Sequence, residues 1–160
     1  MKKKERDIEV THLKCREIQA PIVSSLIKAF ADKVGYDKAI EIVEQVVRED
    51  AVLSGRTLAD KYGGNTLREL ARIVNEEWAN DNAMKIEIIK EDEDELCFNV
   101  VSCKYAEMYE KLGIKELGNI LSCNRDFSFM EGFNPEIELK RTKTIMTGSE
   151  CCDFRYVKKA

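Results

Sequence analysis

The chain has 160 residues, 44% hydrophobic and 35% charged, enough apolar material for a packed core and too much for a disordered chain. That length suits one domain over residues 1–160, large enough to be stable without staples. Lys and Arg total 26 against 30 Asp and Glu, a formal net charge of −4, which argues against general affinity for nucleic acid or anionic lipid. No apolar stretch approaches the roughly 20 residues of a membrane span, and Met-Lys-Lys-Lys-Glu-Arg runs into Asp7-Ile8-Glu9 without the apolar centre of a signal peptide. The expectation is a cytoplasmic protein with no membrane or nucleic-acid partner, its six cysteines held as thiols.

Residues 1–20 are expected to be a flexible N-terminal segment, with the single histidine, His12, a surface residue within it. From Pro21 the apolar positions Ile22, Leu26, Phe30 and Val34 recur every fourth residue, predicting a helix with that stripe toward the core and Gly35 at its end. Asp37 to Leu53 repeats the pattern through Ile40, Val43, Val46 or Val47 and Ala51, with Gly55 as C-cap. Thr57 three residues before Asp60 resembles a capping box for a short helix, and Gly63-Gly64 breaks the chain before a third long helix begins at Asn65. Leu67, Leu70, Ala71, Val74 and Trp78 line that helix, and Asn80-Asp81-Asn82 ends it. Residues 21–82 thus form a helical part.

The period changes at Met84. Met84 to Lys90 and Glu95 to Cys103 read as a hairpin, Lys104 to Leu112 and Ile114 to Leu121 as helices, and Asn134-Pro135 as a break. Glu136 to Met146 and Cys151 to Val157 read as a second hairpin about Gly148-Ser149. The predicted class is α+β, with N-terminal helices packed on an antiparallel sheet of about four strands, and residues 83–160 carrying the site.

None of the cysteines forms a Cys-x-x-Cys pair, which removes zinc-ribbon and thioredoxin-like readings. Cys103 stands where a strand hands over to a helix, near backbone N–H groups that favour thiolate, and Glu107 shares its helical face. Cys123 and Asp126 lie side by side if helical, with Phe127 and Met130 continuing that stripe into the core. A two-residue turn pairs Ile145 with Cys152, Lys143 with Phe154 and Arg141 with Tyr156, so Arg141 and Lys143 share an apolar face with Cys152. Buried cations need partners: internal carboxylates such as Glu107 or Asp126, or a bound anion. A one-residue slip would instead turn Asp153 and Arg155 inward.

Cys-Lys-Tyr-Ala-Glu at 103–107, Cys-Asn-Arg-Asp-Phe at 123–127, Glu-Gly-Phe-Asn-Pro at 131–135, Arg-Thr-Lys-Thr at 141–144 and Gly-x-x-x-Cys-Asp-Phe-Arg-Tyr at 148–156 together resemble the L-2-amino-thiazoline-4-carboxylic acid hydrolase family. The resemblance spans about the C-terminal two thirds. It implies a hydrolase that opens the thiazoline ring at its carbon–sulfur bond to give N-carbamoyl-L-cysteine, a step in L-cysteine formation, and it singles out Cys103, Cys123 and Cys152. A more distant similarity to 4-vinyl-reductase-type domains implies a non-catalytic small-molecule sensor.

The reading that follows has Cys123 or Cys152 attack C2 of the heterocycle, with Cys103 beside them and Asp126 protonating the leaving group. In its variant Asp126 activates water and the thiols only line the pocket. Arg141, helped by Lys143, holds the substrate carboxylate, Glu107 orients a ring nitrogen, and Asp153 completes the binding set. No cofactor is required, although Cys103, Cys123 and Cys152 are also suited to a soft metal. A homodimer through the N-terminal helices or a sheet edge is a further option.

Overall fold

In the computed structural model, which describes residues 10–160, the chain opens on two long helices, α1 (His12–Val34) and α2 (Tyr36–Tyr62). Residues 1–9, part of the expected flexible segment, lie outside the described residues, whereas residues 12–20 are helical. Thr11 starts α1 by accepting the Lys14 N–H on its hydroxyl (3.3 Å). Pro21 therefore falls inside the helix and not at its start. It lies on the exposed side, where water can take the Glu17 carbonyl that the ring leaves without a donor.

The four-residue stripe of α1 does not face the core. Ala20, Ser24 and Ile27 are buried, while Ile22, Leu26, Phe30 and Val34 are all exposed. On α2, Val47 and not Val46 turns inward.

Helix α2 also runs through Gly55, expected as its cap. Gly55 is a contact point: a Cβ there would lie 2.3 Å from the Phe129 carbonyl oxygen, and one on Gly132 would lie 1.9 Å from that of Val52. Two glycines thus let α2 press its backbone against α6 (Arg125–Phe133). Thr57, expected to cap a new helix, bonds back to the Leu53 carbonyl instead (2.9 Å). The helix ends at Gly63, which takes the left-handed conformation (φ 74°). The capping box belongs to Thr66 and Glu69, which start α3 (Leu67–Ile73) two residues later than predicted.

Four antiparallel strands, β1 (Met84–Glu91), β2 (Glu95–Cys103), β3 (Ile137–Lys140) and β4 (Cys152–Lys158), form a sheet in the order β1-β2-β4-β3. The fold class is α+β. Alternation on β4 points Cys152, Phe154 and Tyr156 inward, against Val100, Phe98 and Leu96 of β2. The Phe98 and Phe154 rings stack at 5.0 Å. This sheet face, α3 and α6 share one buried cluster. A second joins α1 to α4 (Lys104–Lys111) and α5 (Lys115–Gly118).

The last hairpin departs from expectation. Strand β3 stops at Lys140, and Leu139, not Arg141, faces Tyr156, a register two residues from the one predicted. The Asp153 carboxylate draws the next segment away by accepting the Thr142 (2.8 Å) and Lys143 (2.6 Å) backbone N–H groups and the Thr142 hydroxyl (2.7 Å). A short 3₁₀ turn, Ile145–Thr147, follows. A shift of two keeps the face, so Arg141 still points inward.

Candidate active site

A hollow of about 400 Å³ lies between the inner sheet face and the helices, and Cys103, Cys123, Cys152, Asp126 and Arg141 all line it. Each arrives by a different local rule. Cys152 comes from β4 alternation, opposite Val100. Cys103 is the last residue of β2 and the N-cap of α4. Cys123 closes a π-helical turn, Asn119–Cys123, and Asp126 lies in the first turn of α6.

The Arg141 guanidinium, 4% exposed, is neutralised from within. Nη1 donates to Asp126 Oδ2 and Nη2 to the Cys123 carbonyl (2.9 Å). Its plane lies 5.0 Å from the Phe127 ring and 5.1 Å from that of Phe154. Phe127, expected in the core, is exposed and serves as this lid on Arg141. Asp126 Oδ1 has no hydrogen-bond partner among the described residues. Burial pushes the Asp126 carboxyl above the usual carboxylate range against the pull of Arg141, while Asp126 keeps Arg141 charged despite its burial.

All three thiols are pushed up, first of all by burial. Cys103 rises although the Tyr105 and Ala106 N–H groups oppose the shift, so the strand-to-helix junction does not yield the expected thiolate. Cys152 rises to about 11, with the Ile145 N–H on its sulfur (3.2 Å) acting the other way. Cys123 rises furthest, by burial and the neighbouring Asp126, and Arg141 only partly offsets them. At neutral pH these are uncharged thiols. No three His, Cys, Asp or Glu side chains among the described residues gather closely enough to hold a metal ion, the three thiols and Asp126 included.

The family model described as L-2-amino-thiazoline-4-carboxylic acid hydrolase matches residues 15–156. The chain belongs to that family. No curated protein matches the sequence. Among solved structures, the phenol-responsive sensory domain of the transcription activator PoxR, with phenol, is similar at TM-score 0.54 and 8% identity, over 96% of this chain and 78% of that one. A trafficking protein particle complex subunit 3 from Naegleria fowleri, covalently bound to palmitic acid, is similar at TM-score 0.53 and 12% identity, over 91% and 96%. At such identities the likeness shows a shared fold.

Relative to the hydrolase motifs, three predicted residues stand apart from the hollow. Lys143 and Glu107 are exposed, and Asp153 serves the loop after β3. Others enter unannounced. Arg125, within the quoted Cys-Asn-Arg-Asp-Phe block, lines the hollow and is 11% exposed, paired with the surface carboxylate Asp50. Trp78, at the end of a second π-helical turn (Val74–Trp78), forms part of the wall.

His12, outside the family-matched stretch, is a lining residue and not a surface one. The Tyr105 hydroxyl donates to the Trp78 carbonyl (3.0 Å), so its oxygen accepts from His12 Nδ1 (3.1 Å). This assigns the proton to Nδ1 and leaves Nε2 as an acceptor. Burial, helped by Arg16 and Arg125, holds His12 down at about 4, so it is neutral. Thr11, a capping residue just ahead of His12, was the sequence signal that could have placed it on a helix.

Proposed function

We propose that this chain hydrolyses a small cyclic amidine carboxylate of the L-2-amino-thiazoline-4-carboxylate type, opening the ring to N-carbamoyl-L-cysteine. The observation that carries the reading is the convergence of Cys103, Cys123, Cys152, Asp126 and Arg141 on one hollow, within the stretch that the hydrolase family model matches. Water adds to C2 of the ring, the C2–S bond breaks, the departing sulfur takes a proton, and the added oxygen becomes the carbonyl of the carbamoyl group.

Asp126 is the proton carrier. Burial raises its carboxyl above the ordinary value, which favours its holding a proton to give, Arg141 fixes Oδ2, and Oδ1 is left to face the reacting atoms. Arg141 is occupied by Asp126, so the substrate carboxylate falls to Arg125, whose own partner Asp50 lies at the surface. Uncharged thiols are poor nucleophiles, which favours the water route over thiolate attack. Cys103, Cys123 and Cys152 then line a dry pocket around the ring sulfur.

Mass-spectrometric detection of N-carbamoyl-L-cysteine from the thiazoline carboxylate tests the reading. The wild type forms product, Asp126→Asn loses on the order of 10²–10⁴-fold in kcat, and single Cys→Ser variants retain turnover. Loss of turnover in one Cys→Ser variant, with a covalent adduct on that thiol in the wild type, would establish thiol attack instead.

Ligand binding without turnover is the second reading. It is favoured by the Trp78, Phe129 and Phe154 walls and by the fold shared with a phenol-responsive domain. Saturable binding of the carboxylate with no product after hours would select it.

A further inference from the structure

The hollow extends beyond the groups assigned to the chemistry. Those groups gather at one side: Arg141 follows the outer strand β3, and its guanidinium, held by Asp126 and the Cys123 carbonyl, lies 5.1 Å from the Phe154 ring of β4. From there the lining crosses the sheet, through Cys152 of β4 opposite Val100 of β2, to Cys103 of β2 opposite Met84 of β1. Strands β4 and β1 are two spacings apart, roughly 10 Å. The far side is apolar. Met84, Val100, Trp78 and Phe129 wall it, with the Trp78 and Phe129 rings edge to face at 5.0 Å. Tyr105, just past Cys103, ties Trp78 to this side by donating its hydroxyl to the Trp78 carbonyl (3.0 Å). The ionisable groups here are already engaged: Glu77 accepts from Lys61 (2.5 Å) and the Tyr62 hydroxyl (2.9 Å), and the neutral His12 donates to the Tyr105 oxygen (3.1 Å). The volume of about 400 Å³ falls in the roughly 300–1,000 Å³ class that encloses drug-sized ligands, whereas the thiazoline carboxylate has only about nine non-hydrogen atoms.

We propose that the compound this hollow takes is larger than L-2-amino-thiazoline-4-carboxylate: a cyclic amidine carboxylate bearing an aryl or branched alkyl substituent that crosses the sheet from the reacting ring to Met84 and Trp78. The ring and its carboxylate rest on the hydrolase reading; the substituent rests on the lining alone. A space walled this way gives water few hydrogen-bond partners, so its favourable occupant is apolar surface withdrawn from solvent. Aromatic groups suit it best, because Trp78 and Phe129 offer ring contacts that add to plain burial. Hydrolysis proceeds as described above: water adds to C2, the C2–S bond breaks, the departing sulfur takes a proton, and the substituent stays on the carbamoyl or the cysteine part of the product.

The test reads binding apart from turnover, by titration calorimetry on the full chain and by the fluorescence of Trp78, the only tryptophan. The probes are L-2-amino-thiazoline-4-carboxylate and its two derivatives with a benzyl group on the exocyclic nitrogen or at C5 of the ring. At least one benzyl derivative is expected to bind on the order of 10–100-fold more tightly than the parent, as burial of about 100 Å² of apolar surface gives, and to shift the Trp78 emission, which the parent leaves near its free value. By calorimetry, Met84→Trp, which narrows the far side, should bring that ratio toward one. Met84→Ala, which widens it, should move the preference to a naphthylmethyl derivative, so the result does not hang on one variant folding. Equal or weaker binding of both benzyl derivatives overturns the proposal, and so does a preference that neither Met84 variant alters. Tighter binding of a benzyl derivative with no product from any probe supports the apolar subsite and overturns the hydrolase reading alone.

Discussion

Asp126 and its neighbours show how burial, more than sequence spacing, sets the chemistry of each side chain. Cys103, Cys123 and Cys152 meet at one hollow, as their settings at a strand end, a helix turn and an alternating strand implied. Their charge state was not legible, because it depends on how much protein surrounds each sulfur. The consequence is measurable: alkylation of Cys152 by iodoacetamide should be slow at pH 7 and accelerate toward a midpoint of about 11, so a midpoint near the ordinary thiol value would contradict the burial described. His12 offers a second measurement. As the only histidine, it gives a single pair of side-chain ¹⁵N resonances in untagged protein. These should report a proton on Nδ1 and a titration midpoint of about 4 in place of the usual 6.5 or so. Tyr105→Phe removes the acceptor and should release that tautomer.

Among the elements, those set by local pattern were legible: β2, α4 and the inward alternation of β4 follow from strand and helix periods alone. Those set by distant contacts were not. Gly55 read as a helix end because nothing near it in sequence reveals α6 pressing on it, and β3 read as long because Asp153, which draws its continuation away, belongs to another strand. Gly132→Ala tests the crossing. Its methyl group would overlap the Val52 backbone, and the helices must part, so a net loss of about 1–3 kcal/mol is expected despite the better helix propensity of alanine. An unchanged denaturation midpoint would count against the close approach. The π-helical turns that end at Trp78 and Cys123 invite a different manipulation. Such a turn holds one residue more than an α-helical turn, so deleting Ser122, which lines the hollow, should close it into α-helix while the flanking segments keep their facing. Ligand binding is then expected to weaken while the helical signal survives.

For the molecule as a whole, acid stability follows from groups that the fold holds away from their ordinary values. The folded chain keeps His12 neutral down to about pH 4, whereas the unfolded chain takes up that proton near 6.5. The unfolded state therefore binds more protons in between, and stability falls as pH drops from about 6.5 to about 4. Below that, Asp153, kept under its ordinary value by Thr142 and Lys143 against a burial penalty, adds a further loss. Asp126, raised by burial, works in the opposite direction. Denaturant midpoints measured across this range should be flatter above pH 4 in His12→Gln than in wild type. The hollow also has a mechanical meaning, because Met84 and Cys103, which line it, pack against both buried clusters, the one under the sheet and the one under α1. It is a seam where the two halves of the interior meet with few atoms between them. A molecule lodged there acts as mortar, so amide hydrogen exchange should slow on both sides of the seam at once, far beyond the residues the molecule touches.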